Sequence, residues 1–138
     1  MKVRFTIPGE PHGKARPRFN SKTGNTYTPD DTVEYERLVV LAYRGKFGNL
    51  KFPDKTPLDL RVRAYFSVPA SDSKKKRIQK TQGAIRPTKK PDWDNIGKII
   101  ADSLNGVAYH DDTQIVDAQV RKFYSDVPRV EVTIEDAT

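Results

Sequence analysis

The chain has 138 residues, with 25 Lys and Arg against 18 Asp and Glu and no cysteine. This length predicts one domain over residues 1–138 that folds without a disulfide or a structural metal. The lack of cysteine excludes a disulfide framework and a thiolate zinc site. With a mean hydropathy of −0.73, the chain contains no apolar run near the ~20 residues of a membrane helix. We expect a cytoplasmic basic domain with polyanionic partners.

The positive charge is concentrated in two stretches of the chain. Residues 71–90 carry eight Lys or Arg and one Asp, and residues 1–22 carry six Lys or Arg and one Glu. A single lysine-rich run is often a solvated face, but two separate runs favour contacts with phosphate groups. The cations expected to bind nucleic acid are Lys14, Arg16, Arg18, Lys74, Lys75, Lys76, Arg77, Lys89 and Lys90.

The first third of the chain predicts a strand, a long loop and a helix. Residues 3–7 alternate apolar and polar side chains before Pro8-Gly9, as a half-buried strand does. Prolines, glycines and cations fill residues 8–29, a length at which loops are usually functional or disordered. A helix follows up to Gly48, capped by Asp30, Asp31 or Thr32. Its apolar positions are Val33, Leu38, Leu41, Ala42 and Phe47.

The remaining two thirds predict three strands and a second clear helix. Residues 58–68 alternate strictly and form a strand. A short basic helix or loop follows, capped by Ser71 or Ser73. Residues 94–104 form the helix, with an apolar stripe of Ile96, Ile99, Ile100, Ser103 and Val107.

The last two predicted strands, residues 114–124 and 129–135, are expected to form a hairpin through the turn at residues 125–128. Strands mixed with helices favour an α/β fold. We therefore predict a small mixed β-sheet with two main helices against one face.

Two pairs of carboxylates could perform metal chemistry. Asp92 and Asp94 lie at the start of the second helix, directly after a cationic run, and Asp111 and Asp112 follow it. Hydrolysis of a phosphodiester requires an oxygen-rich site in which Mg²⁺ orients the nucleophile and offsets charge on the phosphate. Asp92, Asp94 and one member of the later pair could form such a site.

The same aspartates also have an ordinary structural interpretation. Asp92 or Asp94 could simply cap the helix, and Asp94, Lys98 and Asp102 could form a ladder of i, i+4 ion pairs. However, these three residues and Asn105 share the helix face opposite the isoleucines, so that face is open to a ligand. Lys98 could then stabilise charge on a scissile phosphate. Both interpretations stay open at this point.

The spacing of these residues resembles a known family. The pattern runs Lys90-Pro91-Asp92-Trp93-Asp94-Asn95-Ile96-x-Lys98, then Asp102-x-Leu104-Asn105-Gly106, then Asp111-Asp112-x-Gln114-Ile115. Together with Lys14-x-Arg16-Pro17-Arg18 in the N-terminal loop, it resembles the RusA family of Holliday junction resolvases of bacteria and their prophages. The resemblance covers nearly the whole chain.

The resemblance implies a homodimeric, Mg²⁺-dependent endonuclease of DNA recombination and repair that cuts four-way DNA junctions with paired symmetric nicks. Mn²⁺ is expected to substitute for Mg²⁺, and neither an organic cofactor nor a membrane partner is expected. The protein is expected in the cytoplasm, associated with the nucleoid. By position, the resemblance assigns Asp92, Asp94 and Asp112 as catalytic metal ligands and Lys98 as the cation essential for cleavage. The alternatives are a basic nucleic-acid-binding module without nuclease activity and a nuclease that acts on flaps or forks.

Four aromatic side chains are candidates for stacking on bases at the centre of a junction. They are Phe19, Tyr27, Trp93 and Tyr109. Ordinary packing is the alternative for each of them.

Overall fold

The computed structural model describes residues 1–27 and 29–138, without the side chain of Tyr27, so the stacking prediction for Tyr27 lies outside the described residues. Its strands are β1 (Lys2–Pro8), β2 (Arg18–Phe19), β3 (Thr26–Tyr27), β4 (Leu58–Ser67), β5 (Ile115–Ser125) and β6 (Arg129–Asp136). Its helices are α1 (Asp30–Phe47), α2 (Lys74–Thr81) and α3 (Trp93–Ser103), and a 3-10 turn at Asp112–Gln114 precedes β5. The α/β class is confirmed.

Four strands form a mixed sheet in the order β1-β6-β4-β5. β6 is antiparallel to both β1 and β4, and β4 and β5 are parallel. Parallel neighbours need a crossover connection, which here contains α2 and α3. The predicted hairpin of the last two strands is wrong, because β4 lies between them. Alternation of apolar and polar residues identifies a strand but not the strands beside it. A short connection can also join two strands that have another strand between them.

The hydrophobic core lies between the sheet and the helices. The alternation predicted for the first strand is confirmed by burial of Val3, Phe5 and Ile7. The alternation predicted for residues 58–68 is confirmed by burial of Leu58, Leu60, Val62, Ala64 and Phe66. The isoleucines of α3 are buried as predicted, together with Ser103.

The predicted core face of α1 is correct only in part, because Leu38, Ala42 and Phe47 pack against the core but are not its main buried residues. The residues of α1 that are buried are Thr32, Tyr35, Val39 and Tyr43, whereas Leu41 is 68% exposed. Tyrosines bring larger apolar areas into the core, and Tyr43 also donates a hydrogen bond of 2.6 Å to the Leu50 carbonyl.

The two ends of α1 differ in how well the sequence predicted them. The N-cap position is Pro29, without a side-chain cap, so the cap predicted at Asp30, Asp31 or Thr32 is wrong. The helix ends before Gly48 as predicted, where the glycine adopts a φ of 60° and donates to the Arg44 carbonyl.

The two main helices are present as predicted, and the segment predicted as a short basic helix or loop forms a third helix in the described residues. Ser73 caps this helix, α2, by accepting a 3.2 Å hydrogen bond from the Lys76 amide. α2 is attached to the sheet through Lys80, whose buried Nζ lies 2.6 Å from Asp72 Oδ2 and 4.7 Å from the centre of the Tyr124 ring.

The Asp72–Lys80 pair predicts acid sensitivity. The hydrogen bond from Lys80 lowers the pKa of Asp72 in the folded chain. A lowered folded pKa contributes stability that is present above the unfolded pKa, about 3.9, and is lost as pH falls through the folded value. We expect Asp72→Asn to be less stable than wild type at pH 7, and this gap to close below about pH 4. Urea denaturation measures this, with Asp54→Asn, at an exposed loop position, as control; a gap that does not change with pH would contradict it.

Candidate active site

The polar face of α3 is the platform of the candidate site. Its apolar face is buried in the core, so Asp94, Lys98 and Asp102 project on the other side. A Cβ at Gly97 would lie 3.2 Å from Val120 Cγ2, so the glycine permits α3 to lie close to β5. The platform is therefore fixed against the edge of the sheet.

Two exposed carboxylates lie at the start of this helix. Asp92 occupies the N-cap position, but its side chain makes no capping hydrogen bond. Asp94 lies in the first turn, and both side chains are exposed. The capping interpretation therefore fails for the Asp92 carboxylate.

Lys122 is a cation near Asp92 that sequence reasoning missed. It projects from β5 and donates a 2.5 Å hydrogen bond to the Lys89 carbonyl. Burial lowers the pKa of Lys122, and the charge of Asp92 opposes this shift. Its register with Ala64 places Lys122 on the helix-facing side of the sheet. The sequence signal that could have identified Lys122 is a charged residue at a strand position that faces the helices.

The N-terminal loop packs directly on the start of α3. A Cβ at Gly13 would lie 2.8 Å from Pro91 Cβ, so only glycine fits this approach. The Lys14 amide donates to the Asn95 carbonyl at 3.0 Å. A cavity of about 410 Å³ remains between the loop and Asp92, and its lining includes His12, Lys14 and Lys90.

Lys14, a predicted nucleic-acid contact, is engaged with carboxylates instead of being fully exposed. Its Nζ lies 3.4 Å from Glu36 Oε1 on α1 and 3.4 Å from Asp102 Oδ2 on α3. These ion pairs join the loop to both helices. Lys14 therefore holds the site together at its edge.

The adjacent Asp111 and Asp112 play different roles. Asp111 Oδ1 accepts a 3.1 Å hydrogen bond from the Thr113 amide and caps the 3-10 turn. The Asp112 amide donates to Asn105 Oδ1 at 2.8 Å, and Asn105 Nδ2 donates to Asp112 Oδ2 at 3.4 Å. The hydrogen bond from the Thr113 amide lowers the pKa of Asp111, whereas burial and the neighbouring Asp111 raise the pKa of Asp112.

Gln114 fixes the turn that carries these aspartates. Its side chain is buried, and Oε1 accepts from the amides of His110 at 2.9 Å and Asp111 at 3.2 Å. Its Nε2 donates to the carbonyls of Pro53 at 3.0 Å and Thr56 at 3.1 Å. Gln114 was noticed in the sequence only as part of a motif, and its role is structural.

The three predicted metal ligands belong to two segments of the chain. Asp92 and Asp94 lie at the start of α3, whereas Asp112 is hydrogen-bonded to Asn105, which follows the end of that helix. Within residues 1–27 and 29–138, no group of three or more His, Cys, Asp or Glu side chains could hold a metal ion. The three-ligand set of Asp92, Asp94 and Asp112 stays a prediction.

Most of the other predicted nucleic-acid contacts are accessible. The exposed cations are Arg16, Arg18, Lys74, Lys75, Lys76, Lys89 and Lys90. Arg77 is only half-buried, but it lies 3.1 Å from Asp126 and also donates to the Pro69 carbonyl. α2 therefore presents a row of lysines to solvent while Arg77 attaches it to the body of the protein.

Two of the aromatic candidates are accessible and one is not. Phe19 is 65% exposed and Trp93 is 66% exposed. Tyr109 is fully buried, and its hydroxyl donates to the Ala101 carbonyl at 2.5 Å. For Tyr109, packing is therefore the correct interpretation.

An α/β domain with an exposed carboxylate pair beside lysines has the chemistry of a phosphodiester-cleaving enzyme. The chain belongs to the RusA family of endodeoxyribonucleases, since the family described as "Endodeoxyribonuclease RusA" matches residues 8–135. This confirms the resemblance seen in the sequence. The chain is also 37% identical to the uncharacterized protein YqaN of Bacillus subtilis (strain 168), over 99% of this chain and 97% of YqaN. In the part of the chain that the structure describes, no helix is long and apolar enough to cross a bilayer.

Proposed function

We propose that this protein is a Mg²⁺-dependent endonuclease that resolves four-way DNA junctions by paired symmetric nicks, in DNA recombination and repair. Membership of the RusA family supports the nuclease activity. The main structural support for a metal site is the exposed Asp92 carboxylate, which occupies a helix N-cap position without capping the helix. Its neighbours Asp94 and Lys98 share the exposed side of α3.

The donor chemistry of Asp92 and Asp94 fits a magnesium ion. Mg²⁺ prefers oxygen ligands and is usually held by one or two carboxylates with substrate phosphates and water completing its shell. When bound, the ion would orient the attacking water and offset charge on the scissile phosphate, and Mn²⁺ accepts the same ligands. The resemblance adds Asp112 to this set, although the structure places it beside Asn105.

The lysines around the carboxylate pair would bind and orient the DNA strand. Lys98 lies one helical turn after Asp94, close enough to contact a phosphate held at the pair. Lys122 lies on the β5 side of Asp92 and fixes the preceding segment through the Lys89 carbonyl. Fixed cations in a partly desolvated site stabilise charge that develops during cleavage.

A cleavage assay tests the proposal. We expect Mg²⁺-dependent nicking of a fixed four-way junction at symmetric positions, mapped to nucleotide resolution, and much weaker cutting of linear duplex. Three-way, flap and fork substrates at the same salt concentration test the flap or fork nuclease. No cleavage of any branched DNA with Mg²⁺ or Mn²⁺ would instead favour a binding module without nuclease activity.

The lysines of α2 predict a salt-dependent contribution to DNA binding. Each phosphate that a lysine neutralises adds about 0.9 to the slope of log affinity against log salt. We expect Lys75→Ala to weaken junction binding and to reduce this slope by about one unit. Fluorescence anisotropy over a salt series without divalent metal measures this, with the exposed Lys51→Ala as the matched control. Equal slopes for the two variants would contradict a phosphate contact at Lys75.

The outward face of α1 supports the homodimer. Val33, Val40 and Leu41 border a groove of about 490 Å³ between α1 and α3. The first turn of α1 is acidic and its last turn is basic. Two copies of α1 packed antiparallel would bring opposite charges together and cover the apolar residues. A twofold dimer would then present two equivalent sites to a junction of approximate twofold symmetry.

Leu41→Glu should make the protein monomeric, because it places two like charges in the proposed interface. Light scattering and sedimentation measure the mass in solution. Leu50→Glu, at another exposed leucine outside α1, is the control and should stay dimeric. A wild-type monomer, or a Leu41→Glu dimer, would exclude this interface.

A further inference from the structure

We propose that the face of the sheet turned away from the helices binds the phosphate backbone of a junction arm. The contacts are made by Arg63, Arg86 and Arg121, which together form the arginine patch. This proposal rests on the proposed function, because it assumes a branched DNA substrate. Arg63 and Arg121 come from strands outside both basic stretches of the sequence.

Arg63 and Arg121 are direct neighbours on this face. They are register partners in the parallel pair of β4 and β5. Arg63 lies between the buried Val62 and Ala64, so both arginines point away from the core. Neighbouring strands are only about 4.8 Å apart, and like charges placed side by side across them destabilise a sheet. An anion bound between the two guanidinium groups would remove this repulsion.

The repulsion between these two arginines is not relieved by a carboxylate. Among the residues that the structure describes, neither arginine forms an ion pair. Glu131 is the register partner of Arg63 on β6. Its carboxylate, however, is paired with Arg129 at 3.1 Å and with Arg4 at 3.9 Å. The charge of the two arginines is therefore free to bind an anion.

The ring of Phe123 holds two guanidinium groups of the arginine patch in place. Its centre lies 4.5 Å from Arg86 Cζ and 4.9 Å from Arg121 Cζ. The ring also stacks on Tyr65, with 5.5 Å between the ring centres. Guanidinium groups bind phosphate through paired N–H donors. Because these groups are already fixed, less side-chain entropy is lost when they bind a phosphate.

A polar cavity beside the arginine patch extends the positive charge across the sheet. It has a volume of about 350 Å³ and is lined by residues of all four strands of the sheet. Its charged lining residues are Lys2, Arg4, Arg61, Arg63, Glu131 and Glu135. Four cations against two carboxylates leave this surface positive, so it complements a polyanion such as the backbone of DNA.

The edge of β5 connects this surface to the candidate active site. β5 is an edge strand of the sheet, and Arg86 crosses that edge by donating a 3.0 Å hydrogen bond from Nε to the Lys122 carbonyl. Lys122 follows Arg121 in the strand and projects to the opposite face, on the side of Asp92. A DNA arm that passes this edge therefore reaches the arginine patch, while the cleaved strand stays at α3.

The test compares junctions that differ only in the length of their arms. Arg63→Gln/Arg121→Gln removes both charges. Fluorescence anisotropy without divalent metal measures its binding to a four-way junction with long arms and to one truncated near the branch point. We expect the affinity for the long-armed junction to fall more than about tenfold near physiological salt, with a salt slope lower by about two units. Binding of the truncated junction should change less than about threefold, because it has no DNA at the arginine patch.

Two further variants serve as controls. Arg44→Gln/Lys51→Gln removes two exposed cations outside the sheet and should bind both junctions like the wild type. Arg63→Lys/Arg121→Lys keeps both charges and should recover the wild-type salt slope, since the slope depends on the number of phosphates neutralised. Circular dichroism measures whether each variant is folded.

Three outcomes would overturn the proposal. If Arg63→Gln/Arg121→Gln lost no affinity, or lost it equally for both junctions, while the wild type nicked the junction with Mg²⁺, only this proposal would fail. Binding of poly-glutamate that disappears in this variant, with long-armed junction binding retained, would assign the face to an acidic polypeptide. A wild type that neither binds nor nicks branched DNA would overturn the proposed function, and this proposal with it.

Discussion

Asp94→Asn is expected to abolish Mg²⁺-dependent cleavage of a four-way junction while leaving junction binding intact. The substitution keeps the size of an exposed side chain in the first turn of α3 but removes its charge as a metal ligand. A single-turnover assay should show a loss of more than about a hundredfold, since even residues that only support a ligand cost 10–100-fold. Anisotropy with labelled junction measures the binding that is retained.

The control for this experiment is Asp54→Asn, which removes an exposed carboxylate from a loop. It should cleave at the wild-type rate. If Asp94→Asn also cleaved at that rate, Asp94 would be a helix-start residue only, and its replacement would cost no more than ~1 kcal/mol of stability. Retained cleavage would thus revive the structural interpretation of the carboxylate pair.

Gln114→Ala is expected to cause the largest loss of stability among exchanges near the site. It removes four partly buried hydrogen bonds, so two amides and two carbonyls lose the partner that Gln114 gives them. Unpaired buried polar groups cost about 1–3 kcal/mol each. With partial entry of water, we expect the free energy of unfolding to fall by about 3 kcal/mol or more. Urea denaturation at pH 7 measures this loss.

Two further variants separate the hydrogen bonds of Gln114 from its size. Gln114→Glu keeps the acceptor contacts but turns a carboxylate oxygen toward the carbonyls of Pro53 and Thr56, so it should also be strongly destabilised. Gln119→Ala, at an exposed position of β5, should change stability by less than about 0.5 kcal/mol. A loss below about 1 kcal/mol in Gln114→Ala would show that water replaces its contacts.

The elements that the sequence predicted correctly are those with a strong local pattern. β4 alternates over its whole length because one of its faces is buried, and the isoleucines of α3 repeat at the helical period. The pattern was only partly right for α1, where Leu38, Ala42 and Phe47 pack against the core as predicted. Leu41 is instead exposed, and buried tyrosines complete the core face. The order of strands in the sheet depends on pairing between distant segments, which no local pattern contains.

The candidate site likewise combines features that follow from a local sequence pattern with contacts that depend on the packing of distant elements. Exposure of Asp92 and Asp94 followed from their position at the start of a helix whose other face is apolar. The contacts of Lys14 with Asp102, of Asn105 with Asp112 and of Lys122 with Lys89 each join residues on different elements. Such contacts are set by the packing of those elements and were therefore not predictable from spacing.

Gly13 has no functional group, yet its close approach to Pro91 limits how this protein can vary. The N-terminal loop and the start of α3 must match each other in shape, because any side chain at position 13 would push the loop away. A loop transplanted from a relative would therefore fit only if the residues that replace Pro91 and its neighbours were transplanted with it. In a chimeric protein, these two segments should be exchanged as one unit, although about 80 residues separate them in the sequence.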